Sequence, residues 1–256
     1  MPADSPPISV QLYSVRNEAA NDFEGVLKRL GDIGFVGVEV AGFHDLTPQQ
    51  YAAIVEDSGL VTSSAHLTDL SPDGLNAMLD KVQEIGCNVA VCAFMPPERF
   101  ADLDAVNASA DALNAANDIA RSRGVSLGYH NHWWEFSTRL DGQTAWSALI
   151  ARLDPTVFAE VDIYWATLGG ADPRQVIADL GDRLRLLHVK DGPCDAPESP
   201  MVAVGSGTLD IPAVLTCAPT AAWHIVELDR CATDMFAALA ESHRYLVDSG
   251  LSRGRV

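Results

Sequence analysis

Eight times along the chain, a short apolar, β-branched run gives way to a longer segment whose apolar residues recur at helical spacing. ISVQLYSV (8–15) leads into DFEGVLKRLGDIGF (22–35), where Phe23, Val26, Leu27, Leu30 and Ile33 form one apolar helical face. VGVEVAG (36–42) leads into TPQQYAAIVEDSG, with Thr47 placed to cap the helix and Pro48 at its first position. LVTSSAHL and SPDGLNAMLDKVQEIG form the third unit, and CNVAVCAF with a long helix over 98–123 the fourth. VSLGYHNH precedes TAWSALIARL, VFAEVDIYW precedes DPRQVIADLG, LRLLHVKD precedes a helix near TLDIPAVL, and AWHIVELD precedes TDMFAALAESHRYLVDSG. Strands separated by helices predict a parallel sheet, and eight of them predict a closed (β/α)₈ barrel. A doubly wound open sheet is the competitor, but no GxGxxG turn follows the first strand. Gly34, Gly86 and Gly124, each between a helix and the next strand, predict left-handed helix caps. No linker or change of composition interrupts the series, so residues 1–256 are expected to form one domain.

The charge balance narrows the function. Thirty-five acidic residues against 17 basic ones leave a net charge of −18. Nucleic-acid binders draw most of their affinity from Lys and Arg on phosphates, so this chain is not expected to bind nucleic acid. Neither a membrane-spanning run nor a basic, apolar leader in MPADSPPISV is evident. Five cysteines (Cys87, Cys92, Cys194, Cys217, Cys231), without CxxC spacing, read as free thiols of a reducing compartment, and a cytoplasmic setting is expected.

In a barrel of this kind the chemistry gathers at the C-terminal strand ends. Strand one offers Gln11, Tyr13 and Arg16, strand two Glu39 and strand three His66. Strand five ends in GYHNHWWEF, which supplies His130, Asn131, His132 and Glu135. Asp162 ends strand six, His188 and Lys190 strand seven, and Glu227 and Asp229 strand eight. So many ionisable groups at one barrel mouth call for compensation, which a divalent cation supplies. Glu135, Asp162, His188 and Glu227 come from four successive strands; three carboxylates and an imidazole suit Mn²⁺, Mg²⁺ or Co²⁺, with Zn²⁺ also compatible. His130 and His132 alternate along an extended strand and so share a side; either one, instead of Glu135, is a further candidate ligand. Trp134 and Trp165 are candidates for holding the apolar face of a sugar. Lys190 is a candidate cation for a developing oxyanion, Asp191 and Asp229 are expected to orient neighbours, and Cys231 is expected to be inert.

QLYSVR, GFVGVEVAGF, SAHL, YHNHWWEF, EVDIYWA, LHVKD, VGSGTLD and VELDRC follow one another in the order found in the xylose-isomerase-like TIM barrels, and over nearly its full length the chain resembles that superfamily. The superfamily includes sugar-phosphate isomerases and epimerases, inosose dehydratases and endonuclease IV. The resemblance implies a divalent metal, Mn²⁺ foremost, on Asp162, His188 and Glu227, with His130 or Glu135 completing the set. It implies a keto sugar, sugar phosphate or cyclitol as substrate, contacted by Gln11, Glu39, His66, Trp134 and Trp165. Glu227, His130, His132 and Lys190 would then carry proton transfer and charge stabilisation in isomerisation or epimerisation through an enediolate. Many relatives carry a glutamate within strand five, where this chain has Gly128, Tyr129 and His130. That departure points toward the branch acting on inososes or 3-keto-glycosides, by dehydration or other elimination. An endonuclease-IV-like enzyme and a non-catalytic sugar-binding barrel are the remaining readings. A homo-oligomer is expected from the resemblance alone.

Overall fold

The structure, a computed structural model, describes residues 5–255. Residues 1–4 of the N-terminal stretch read above, and the last residue of the expected domain, lie outside the described residues. Eight parallel strands close into one barrel: β1 (Ile8–Gln11), β2 (Gly37–Val40), β3 (Val61–Leu67), β4 (Val89–Cys92), β5 (Ser126–His130), β6 (Phe158–Asp162), β7 (Leu184–Val189) and β8 (Trp223–Val226). Each strand pairs with its sequence neighbours, and β8 returns to β1 through the register Ile8–His224, Ser9–Ile225 and Val10–Val226. The outer helices are α1 (Phe23–Ile33), α2 (Pro48–Asp57), α3 (Pro72–Glu84), α4 (Leu103–Ser122), α5 (Ala145–Arg152), α6 (Pro173–Leu180), α7 (Ile211–Leu215) and α8 (Met235–Asp248). Among the described residues no helix is long and apolar enough to cross a membrane.

Local chemistry sets the boundaries. Phe23, Val26, Leu27 and Leu30 of α1 are buried, as their spacing requires. Thr47 and Gln50 form a reciprocal capping box at the start of α2, an arrangement that stabilises a helix by about 1 kcal/mol. Gly34, Gly86 and Gly124 have φ of 110°, 74° and 73°, the left-handed turn that sends each chain from helix to strand.

The strands are shorter than the apolar runs that encode them. β1 stops at Gln11 and continues as a 3₁₀ turn, Leu12–Val15, because the Gln11 side chain accepts from the Tyr13 amide and caps that turn. β6 stops at Asp162, whose Oδ1 accepts from the Trp165 amide at 2.8 Å and starts the short helix Ile163–Leu168. The long fourth helix is likewise delayed, by the 3₁₀ turn Pro97–Phe100 and by Asp102 capping α4.

Candidate active site

Carboxylates and imidazoles meet inside the upper barrel. Glu39 ends β2, His66 lies near the end of β3, His130 ends β5, and Glu160 and Asp162 alternate on β6. His188 lies on β7, Lys190 follows it, and Glu227 and Asp229 follow β8. His188 is fully buried and donates to both sides, from Nδ1 to Glu227 Oε2 at 2.8 Å and from Nε2 to Glu39 Oε2 at 2.6 Å. His66 Nε2 donates to Glu160 Oε2 at 2.7 Å and lies 3.1 Å from Glu39 Oε2. His130 Nδ1 lies 3.1 Å from Glu160 Oε2, and Lys190 Nζ sits 2.9, 2.7 and 2.7 Å from oxygens of Asp162, Glu227 and Asp229.

These contacts decide the charges. Burial would discharge His66 and His188, but the carboxylates around them prevail: His66 is pushed up to about 10 by Glu39 and Glu160, and His188 well above its ordinary value by Glu160, Glu39 and Glu227. Burial would likewise lower Lys190, yet Asp162, Asp229 and Glu227 hold it charged. Burial would raise Glu39 and Glu227, and the cations beside them bring both well below the usual carboxylate range. Burial dominates at Glu160, pushed up to about 7, and at Asp162, pushed up to about 6. His130 is driven well down by burial and by neighbouring imidazoles, and His132 falls to about 3 through burial and Lys190. His130 and His132 are therefore neutral, the form that accepts protons and binds metals.

Two sets of side chains bring ligand atoms within 4.8 Å of one another: His66, His130, Glu160 and His188, and His130, Asp162, His188 and Glu227. The second contains three of the four residues expected as ligands and replaces Glu135 with His130. The donor set fits a divalent cation. Buried Glu160 Oε1 and Asp162 Oδ2 have no aligned hydrogen-bond partner among the described residues, and His130 supplies a neutral nitrogen. Asn131 fixes the backbone beneath Asp162, its Oδ1 accepting from the Asp162 amide at 3.0 Å and its Nδ2 donating to the Asp162 carbonyl at 3.2 Å. A cavity of about 370 Å³ opens above these groups, bordered by His66, His130, His132, Lys190, Glu227 and Asp229, with Tyr13 and Phe94 at its rim.

Residues 27–217 match the xylose isomerase-like TIM barrel family. The chain belongs to this family. A sugar phosphate isomerase/epimerase from Parabacteroides distasonis is similar over 98% of this chain and 96% of its own, at 25% identity and a TM-score of 0.81. The 3-keto-D-glucoside 4-epimerase of E. coli (18% identity, TM-score 0.67, 95% of this chain and 99% of its own) and a probable 3-DHS dehydratase of Bacillus anthracis (14%, 0.68, 94% and 98%) share the fold. Among curated protein sequences none matches significantly.

Within the family fold, several residues take places other than those expected. Glu135 is outside both ligand sets: its Oε1 accepts from the Tyr129 hydroxyl at 2.6 Å and its Oε2 from the His132 amide at 3.0 Å. Both oxygens are thereby engaged within the chain, and the carboxylate holds the loop that carries His132. Gln11 and Glu39 are buried and tied to each other at 2.7 Å, with Glu39 also accepting from Ser64, so neither borders the cavity. Trp134 stacks on His132 at 4.4 Å and Trp165 lies 5.3 Å from Lys190; both support cavity residues from behind. His66 does border the cavity. Glu160 and Phe94 escaped the reading by strand ends. Strand alternation from Asp162 to Glu160 carried the signal for the first. For Phe94, in a turn beyond β4, no pattern did.

Proposed function

We propose that the protein is a divalent-metal-dependent sugar isomerase or epimerase that removes a proton next to the carbonyl of a keto sugar, by way of an enediolate. The observation that carries this reading is the buried set His130, Asp162, His188 and Glu227 directly beneath a cavity of about 370 Å³. These residues would hold the cation, His188 in its neutral form, with Mn²⁺ by preference and Mg²⁺, Co²⁺ or Zn²⁺ compatible with the donors. Such an ion acts as a Lewis acid toward a carbonyl, lowering the pKa of the adjacent carbon.

The chain's own groups do the rest. Glu227, His130 and His132 border the cavity as proton acceptors. Of the three only His132 lies outside both ligand sets while bordering the cavity, which leaves its imidazole unclaimed by the cation. Lys190 keeps its charge and faces the same cavity, placed to hold negative charge as it develops on the substrate oxygen. Trp134, stacked on His132, fixes the plane of that ring. The net charge of −18 supports a small neutral partner over nucleic acid.

One feature favours a second outcome of the same first step, elimination from an inosose or a 3-keto-glycoside. Glu227 shares the cavity wall with three imidazoles and no second glutamate, so an acid and base drawn from them would differ in kind. Metal analysis of purified protein, beside Asp162→Ala, tests the centre: about one ion per chain, lost in the variant, is expected. Deuterium uptake from heavy water into keto sugars and inososes tests the chemistry. Neither metal nor uptake after loading with Mn²⁺ would sink the reading.

A further inference from the structure

Two of the barrel's buried acids sit at breaks in strand register. Between β2 and β3 the pairing passes from Val38–Thr62 to Glu39–Ser64, so Ser63 is an extra residue in β3. Between β6 and β7 it passes from Ala159–Leu184 to Glu160–Leu186, so Arg185 is an extra residue in β7. Bulges of this kind re-aim side chains and recur beside active sites. The first one sets Glu39 against Ser64, while Gln11 of β1 pairs with Glu39 from the other side. Both neighbours donate to the carboxylate, Ser64 Oγ to Oε1 at 2.5 Å and Gln11 Nε2 to Oε2 at 2.7 Å. Glu39 is thus fixed from two strands, fully buried, outside both ligand sets and away from the cavity wall.

Its route to the centre is His188. Nε2 of that imidazole donates to Glu39 Oε2 at 2.6 Å, and the ring then aims Nδ1 at Glu227, 2.8 Å away, within the set proposed to hold the cation. Glu160 Oε2 also approaches Nε2, at a longer 3.3 Å. His130, the other imidazole of the set, lacks such an anchor: its Nδ1 lies 3.1 Å from Glu160 but has no aligned partner among the described residues. An imidazole that donates from one nitrogen to a fixed carboxylate keeps one ring orientation and one tautomer, and its other nitrogen becomes the better metal ligand.

Resting on the metal-dependent reading, we infer that Glu39 is a positioning residue of the centre, holding His188 by Nε2 so that Nδ1 faces the cation. A strand-two acid placed by a bulge therefore acts on the site through His188 and never meets the substrate.

Titration of metal-free, full-length protein with Zn²⁺ against a chromophoric chelator tests this role. Glu39→Gln should raise the Kd for Zn²⁺ by about 10–100-fold. Ser63→Ala removes a hydroxyl from the same buried layer, bonded to Ser9 and to the Val38 carbonyl, and leaves Glu39 its partners. Its Kd should stay within about twofold of the parent's. A parent-like Kd in Glu39→Gln, or an equal loss in Ser63→Ala, overturns the inference. Should Glu39→Gln not fold, the parent decides by itself. In long-range proton–nitrogen spectra of the Zn²⁺-loaded protein the His188 proton should sit on Nε2, and a proton on Nδ1 overturns the inference. A parent that takes up no metal sinks the metal centre and this role together. Metal uptake without deuterium exchange into any keto sugar or inosose counts against the isomerase reading, while the Zn²⁺ titration still decides this one.

Discussion

The ammonium of Lys190 lies 2.7 Å from the carboxylate of Glu227, with the lysine only 1% exposed. Asp162 and Asp229 share the same cation. Removing one partner of a buried ion pair leaves an uncompensated charge, at a cost of about 3–5 kcal/mol. Lys190→Met should therefore lower stability in urea by about that amount, and added Mn²⁺ should restore part of it by replacing the lost positive charge. A variant as stable as the parent would show that the three carboxylates relax on their own.

Glu135→Ala separates two roles for one residue. The substitution strips the Tyr129 hydroxyl and the His132 amide of their acceptor, which costs about 1–3 kcal/mol. Activity should fall by about ten- to a hundredfold as His132 loses its fixed position. Metal content should stay at the parent level, because Glu135 is outside the ligand sets. Loss of metal would return Glu135 to the ligand role that its place in the sequence suggests.

His224 governs an acid limb apart from the proposed metal centre. It is 1% exposed, bonded through Nδ1 to Ser252 at 2.8 Å, and burial lowers its pKa to about 4. The unfolded chain takes up this proton from about pH 6.5 downward and the folded chain only near 4, so acidification across that window favours unfolding. The effect is roughly 3 kcal/mol in all. His224→Gln should flatten the fall in melting temperature between about pH 6.5 and 4; an unchanged slope would assign the acid sensitivity to other groups.

Gly128 leaves room for a ring. A Cβ there would lie 2.2 Å from Cε2 of Phe158, its partner across β5 and β6. Gly128→Ala should destabilise by about 1–3 kcal/mol through overpacking, and Phe158→Leu in the same chain should recover most of it. Additive losses would mean that the two positions do not compete for space.

Much of this was legible in the residues, for reasons that can be named. Helical faces such as Phe23–Val26–Leu27–Leu30 and the left-handed glycines report on one element at a time, and repeated eight times they imply closure. Asp162, His188 and Glu227 come together as expected because a barrel collects strand ends at one face. Glu135 was not resolved, because its fate depends on Tyr129, whose hydroxyl reaches it only in three dimensions. Composition cannot tell a ring that lines a cavity from one that supports the lining, so Trp134 and Trp165 are candidates in the sequence yet stand outside the cavity wall in the structure. The capping of short turns by Gln11 and Asp162 ended strands that apolar runs alone would have extended.

The imidazoles of His66 and His188 and the ammonium of Lys190 are laid directly against the acids they neutralise. An acidic centre that carries its own counter-ions does not depend on a captured ion for assembly, in contrast to small zinc domains that unfold when the ion is removed. Chelator should therefore strip the site reversibly and leave the barrel standing. A cation held there, as proposed above, would be a late and exchangeable addition to a barrel already assembled.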